Sequence, residues 1–221
     1  MDKSRNCTID ILRLFFAVLI VALHTSPFME FSKVGSYIIS QALSRLAVPF
    51  FSTIAGYFFF LKERKSYTHV LCKYVFIYTF WSILMFIYEA VYWDKPVSDF
   101  ILYVLKTFFF TGWRHLWYLL AIIYTIVILI VASAVSKKSS FIIYCLSFSL
   151  LLIGIATSNY GNVFSEIPLF DILANNDQSM IWGWMFIVLP FFMLGYYLSR
   201  KTPDLYVGNQ LLFASLSLLG L

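Results

Sequence analysis

Charge is what this sequence has least of. Only 12% of its 221 residues are Asp, Glu, Lys or Arg, about half the share found in soluble domains. So small a supply cannot wet a globular surface, which excludes a soluble enzyme, a disordered tail and a nucleic-acid-binding module. Cysteine is scarce too: Cys7, Cys72 and Cys145 are the full set, and no disulfide framework is expected from them. Glycine (9) and proline (6) are few, and there is no Gly-rich phosphate loop and no nucleophile elbow. Three scattered histidines, without Cys or carboxylate at ligand spacing, make no zinc site. Neither an internal repeat nor a soluble-domain boundary is present. What fills the chain is apolar: 61% hydrophobic residues, 20% aromatic, and a mean hydropathy of +0.83. A polytopic membrane protein, with the lipid bilayer as its surroundings, is the class that remains.

Runs of about 20 apolar residues are the unit of such a protein. They fall at Ile9–Ser26, Tyr37–Leu61, Tyr74–Trp93, His115–Val135, Phe141–Thr157 and Ile181–Leu198. Phe100–Gly112 is too short to span comfortably, and Leu211–Leu221 begins a further span. The sequence therefore predicts an all-α transmembrane bundle of six to seven spans plus one re-entrant or interfacial segment. Residues 1–221 read as a single membrane domain, and the unfinished last stretch is expected to belong to a larger bundle. The first span is no cleavable signal peptide, because it holds Asp10 and Arg13 and no A-x-A site follows it.

Basic residues mark the cytoplasmic loops of membrane proteins. Lys3, Arg5, Lys62, Arg64, Lys65, Lys73, Lys137, Lys138, Arg200 and Lys201, ten of the 16 Lys and Arg, fall on one side if the N-terminus is cytoplasmic. Glu30, Asp94, Asp99, Glu166, Asp171 and Asp177 fall on the other, and Ser158–Met180 has no Lys or Arg. This pattern requires that Phe100–Gly112 does not cross by itself, with Lys106 snorkelling to the headgroups. The expected location is the cell membrane with the N-terminus in the cytoplasm.

A charge inside a span is costly and turns towards the bundle interior or a watery cavity. Arg13 and His24 are eleven residues apart, about three helical turns, which puts them on nearly one face and about 16 Å apart along the axis. Asp10 precedes Arg13 by three residues and can pair with it. Arg13 can equally be a snorkelling anchor, and His24 a satisfied helix-end histidine. In the second span Pro49 lacks an N–H and frees a carbonyl one turn back, near Arg45; a kink there with Arg45 pointing inwards would make a polar pocket. Gly56 is expected to permit close helix packing. Arg114 and His115 open a span, beside Trp113, Trp117 and Tyr118. The three aromatics suit a sugar face, although interfacial belt residues have the same look.

These residues form recognisable motifs. Ile9-Asp10-Ile11-Leu12-Arg13, then ten residues and His24, resembles the opening of the acyltransferase-3 family of integral membrane acyltransferases. Arg45-Leu-Ala-Val-Pro-Phe-Phe running to Ala55-Gly56-Tyr57 is similar to that family's second-span motif, and His115-Leu-Trp-Tyr-Leu to its H-L-W-[FY]-L segment. Leu189-Pro190-Phe191-Phe192-Met193-Leu194-Gly195-Tyr196 resembles a further family segment. Within the family, the arrangement looks close to the N-terminal membrane module of membrane-bound serine racemases of the glycopeptide-resistance type.

The resemblance implies a bundle of about ten helices, of which this chain would be a truncated part. It also implies acyl-CoA (usually acetyl-CoA) as a co-substrate on the cytoplasmic side, no bound cofactor, and an extracytoplasmic acceptor such as a cell-surface glycan. The expected O-acetylation would then divide among the polar residues. Arg13, helped by Asp10, meets the phosphate or thioester end of the donor. His24 acts as general base or acyl carrier. Arg45, Arg114 and His115 hold the acceptor or the oxyanion. The rival expectation is uptake or presentation of L-serine, an amino-acid acceptor held by its carboxylate on Arg45 or Arg114.

Overall fold

Inside hydrocarbon each backbone N–H must find its partner within its own segment, so spanning chains become helices. The computed structural model describes residues 7–25, 30–62, 66–94, 96–113, 116–136, 139–159 and 183–201, and among them there is no strand. Helix α1 is Cys7–Thr25. A single turn, α2 (Lys33–Tyr37), runs through a π-helical stretch, Ile38–Leu43, and a 3₁₀ turn, Ser44–Leu46, into α3 (Ala47–Phe60). Then come α4 (Tyr67–Val91), α5 (Val97–Lys106) with a π-helical end at Thr107–Thr111, α6 (Trp117–Val135) and α7 (Ser139–Asn159). A third π-helical stretch, Gly183–Val188, leads into α8 (Leu189–Lys201). Helices α1, α4 and α6 are long and apolar enough to cross a membrane, and α7 carries a shorter apolar stretch, Ser140–Gly154. The protein is a helical membrane bundle.

Two boundaries differ from the sequence expectation. The third span starts at Tyr67 rather than Tyr74, so His69, Cys72 and Lys73 are helical. Tyr67 and Val70 are buried in the core, which draws these first two turns into the fold. The second span is not one helix kinked at Pro49. Its irregular part, Ile38–Leu46, comes before the proline, which is the third residue of α3. There a missing N–H breaks few intrahelical bonds. Pro190 sits likewise in the first turn of α8, directly after π-helical backbone. Leu211–Leu221 and most of the Ser158–Met180 loop lie outside the described residues.

The core is organised by the crossing of α3 and α8. A Cβ on Gly56 would collide with the backbone of Phe192, and one on Gly195 with the Thr53 carbonyl and the Tyr57 amide. The two glycines let the helices touch backbone to backbone, which is how small residues drive association where lipid is as apolar as leucine. Gly56 therefore packs as its sequence context predicts. Around this crossing lie two apolar clusters. Phe59 and Phe192 meet Tyr67, Val70, Ile122, Ile126 and Leu129 on one side. On the other, Phe50, Ile54, Tyr57 and Leu198 meet Ile9, Phe16 and Leu19 of α1, with Phe16 stacked on Phe50 at 4.3 Å between centroids. Large apolar side chains exposed on α1, α4, α5 and α7 form the surface offered to lipid.

Gly56→Ala or Gly195→Ala should force the helices apart and cost about 3 kcal/mol, the upper part of the usual overpacking range. In a thermal-unfolding assay either variant should melt several degrees lower. Gly35→Ala, whose Cβ would meet only the Ser32 side chain at 3.3 Å, should melt with the wild type.

Candidate functional site

Ile9, Phe16, Leu19 and Ala22 are the buried residues of α1. Eleven residues at 100° each bring Arg13 and His24 within about 20° of one another, on the flank of that packed face. They share a face as the sequence predicts, but its edge rather than its centre: Arg13 is half-buried and His24 is exposed among the described residues. Arg13 Nη1 lies 3.5 Å from Asp10 Oδ1, and its guanidinium sits 5.1 Å from the Phe58 ring centroid. Carboxylate and ring together lower the cost of holding the cation beside lipid. His24, in the last turn of α1, is where a helix dipole favours positive charge.

The Pro49 region departs from expectation. Arg45 is exposed, while its neighbour Ser44 is buried. Ser44 Oγ lies 2.7 Å from the carbonyls of both Leu19 and Ile39, donating to them with one shared proton. The Ser44 hydroxyl attends the irregular backbone and clips it to α1. A lone serine in an apolar run gives no hint of this in sequence; the signal was the π-helical stretch, and period-3.6 patterns do not reveal π turns.

A stripe at i, i+4 spacing runs up α4: Tyr74, Tyr78, Ser82 and Phe86. Tyr74 lies within electrostatic reach of Arg13 and of Tyr118 of α6, whose hydroxyl is turned to Ser52 of α3. Tyr78 donates to the Phe108 carbonyl at 2.7 Å. Phe86 packs edge-on against Trp113, 4.9 Å between centroids. Helix α3 packs antiparallel to α1 and a short connection joins it to α4, so α1 and α4 run the same way. Eleven residues above Tyr74 is Met85, and eleven above Arg13 is His24.

The segment expected to be re-entrant leaves the far end of α4, turns back along it and stops at mid-height. Trp93 packs on Phe100 and Tyr103, then Phe86 on Phe108. The chain breaks at Gly112, whose φ of +69° suits glycine. It then feeds α6, which starts beside Tyr78 and continues towards Val70. The Gly112 turn directs the chain onwards into α6. The Phe108 and Phe109 carbonyls left by the break accept from the Tyr78 and Tyr124 hydroxyls.

Of the three aromatics considered for stacking, Trp113 is 5% exposed, wedged between Phe86 and Tyr103; its ring has no face to offer a sugar. Trp117 and Tyr118 pack partly buried against the core. Arg114 and His115 lie outside the described residues. No group of His, Cys, Asp and Glu able to hold a metal occurs among the described residues.

A family model described as an acyltransferase domain, acyltransferase-3, matches residues 8–221. The chain belongs to the acyltransferase-3 family. It is 29% identical over 92% of its length to an amino-acid racemase of Enterococcus faecalis, and 30% identical over 93% to a second protein so named from that organism. Each alignment covers 30% of the relative. It is also 25% identical over 98% of its length to a serine/alanine racemase of Enterococcus gallinarum, covering 32% of that protein. The chain thus spans about a third of the length of these curated relatives. Their names accord with the resemblance to a racemase membrane module. No solved structure matches the chain.

Tyr78→Phe should leave the Phe108 carbonyl without this donor inside the bundle, a loss of about 1–3 kcal/mol. Hydrogen exchange should show α5 and its π-helical end opening faster, with protection of α1 and α3 unchanged.

Proposed function

We propose that this chain carries an acyl group, acetyl by its family resemblance, from cytoplasmic acyl-CoA to a hydroxyl of an extracytoplasmic glycan. The observation that carries the proposal is the pairing of Arg13 and His24 on one flank of α1, about 16 Å apart, in a member of the acyltransferase-3 family. Arg13, neutralised in part by Asp10, takes a phosphate of the donor and leaves the thioester to reach His24. His24 removes the proton of the acceptor hydroxyl, whose oxygen attacks the thioester carbonyl. The C–S bond then breaks, and the thiolate leaves as CoA and takes up the proton. The same imidazole could instead carry the acyl group between donor and acceptor. Arg45, Arg114 and His115 hold the acceptor or the oxyanion. The distribution of basic residues supports a cytoplasmic N-terminus.

The names of the relatives point to a second reading, in which the module takes up or presents L-serine to a racemase. One experiment separates the two. Membranes incubated with labelled acetyl-CoA should pass label to cell-surface glycan, and His24→Ala should lower the rate at least a hundredfold, the usual share of a general base. Wild-type transfer by His24→Ala removes that residue from the mechanism; labelled serine accumulation without glycan labelling favours the rival. Orientation is tested through Cys7, which is exposed at the start of α1. In a Cys72→Ser, Cys145→Ser background, an impermeant maleimide should spare Cys7 in intact cells and label it in inverted vesicles.

A further inference from the structure

Two contacts tie the lower half of α1 to α3. Phe16 stacks on Phe50 at 4.3 Å between centroids, and the Arg13 guanidinium sits 5.1 Å from the centroid of the Phe58 ring. They do not keep step along the helices. Phe16 to Arg13 is a rise of about 4.5 Å on α1, whereas Phe50 to Phe58 is about 12 Å on α3. The Arg13 side chain makes up the difference of about 7 Å by running down its own helix, the direction in which helical side chains lean. Asp10, one turn nearer the start of α1, meets it there, Nη1 to Oδ1 at 3.5 Å.

This fixes where the cation is presented. Phe58 is turned about 80° from Phe50, and Arg13 about 60° from Phe16, so the pair meets at the rim of the α1–α3 seam rather than in the core. The Arg13 side chain keeps 40% of its surface exposed and Phe58 38%. A guanidinium held over an aromatic face loses the swing of its long stem and offers its planar fork in one place. Asp10 engages one nitrogen, at the long limit of a hydrogen bond. A fork of five donors then retains the capacity to bind phosphate by two parallel bonds. The two neighbours differ in what they do to an incoming anion: the carboxylate repels it, and the uncharged ring does not. An aliphatic side chain at position 58 would cover the arginine stem equally well but would not attract the charge.

We propose that Phe58 is a positioning residue for the acyl donor: its ring holds the Arg13 guanidinium at the rim of the α1–α3 seam, near the start of α1, where it receives a phosphate of acyl-CoA. This deepens, and rests on, the acyl-transfer reading above. A phosphate bound so low leaves the pantetheine arm to carry the thioester along the flank of α1 towards His24. The test uses the full chain in nanodiscs for calorimetric titration with CoA, and membranes for transfer from labelled acetyl-CoA to cell-surface glycan. Phe58→Leu should weaken CoA binding and raise KM for acetyl-CoA about 5-fold, the loss of one cation–π contact, with little change in kcat or melting temperature. Phe58→Trp should restore binding. In an Arg13→Met background Phe58→Leu should cost nothing further, because the two side chains act as a unit. CoA binding that ignores Phe58→Leu overturns the proposal, as does a loss that adds fully to that of Arg13→Met, follows the melting temperature or is not restored by Phe58→Trp. Transfer to glycan with a KM unmoved by Phe58→Leu removes this site and leaves the acyltransferase reading. The expected pattern of CoA binding with no label on glycan keeps this site and removes the glycan acceptor. A wild type that binds no CoA overturns both.

Discussion

The backbone contact between α3 and α8 is the constraint on which the other helices depend. Each helix presents a glycine where any side chain would strike the partner's main chain. Lipid provides no hydrophobic drive between helices, so the dispersion gained by so close an approach has to come from shape. With α3 and α8 held together, the aromatic residues on either side of them form two faces. One receives α1, and the other receives α4 and α6. The helix that carries Arg13 and His24 is thus placed by a contact to which neither residue contributes.

Much of this was legible in the sequence because apolar length and charge depletion are strong signals. Spans of about 20 residues, the basic–acidic alternation of the loops, the Arg13–His24 spacing and the close-packing role of Gly56 follow from periodicity and composition. Three features did not show. The π-helical stretches before α3 and α8 break the period that helix reading assumes, so the irregularity was assigned to Pro49. Ser44 resembles any other serine, yet its hydroxyl bonds the Leu19 and Ile39 carbonyls. The path of α5 depends on tertiary pairing of Trp93, Phe86 and Tyr78, none of which is visible in a linear pattern.

The polar groups are arranged along helices rather than gathered at a point. Tyr118 and Ser52 pair across α6 and α3, and Tyr78 bonds the Phe108 carbonyl at the break. Tyrosine and serine hydroxyls recur here because they can stabilise broken helical backbone and still pack against apolar neighbours.

The Ser44 clip bears on distance. Its proton is held between the Leu19 carbonyl and the Ile39 carbonyl, so α1 is indexed against the second segment at a fixed residue. A slip of one residue would shift α1 by about 1.5 Å and turn it by about 100°; both Arg13 and His24 would leave the flank together. The helix therefore behaves as a ruler of set length and orientation. Any molecule that must touch Arg13 at one end and reach His24 at the other is selected by its reach before its chemistry is tested.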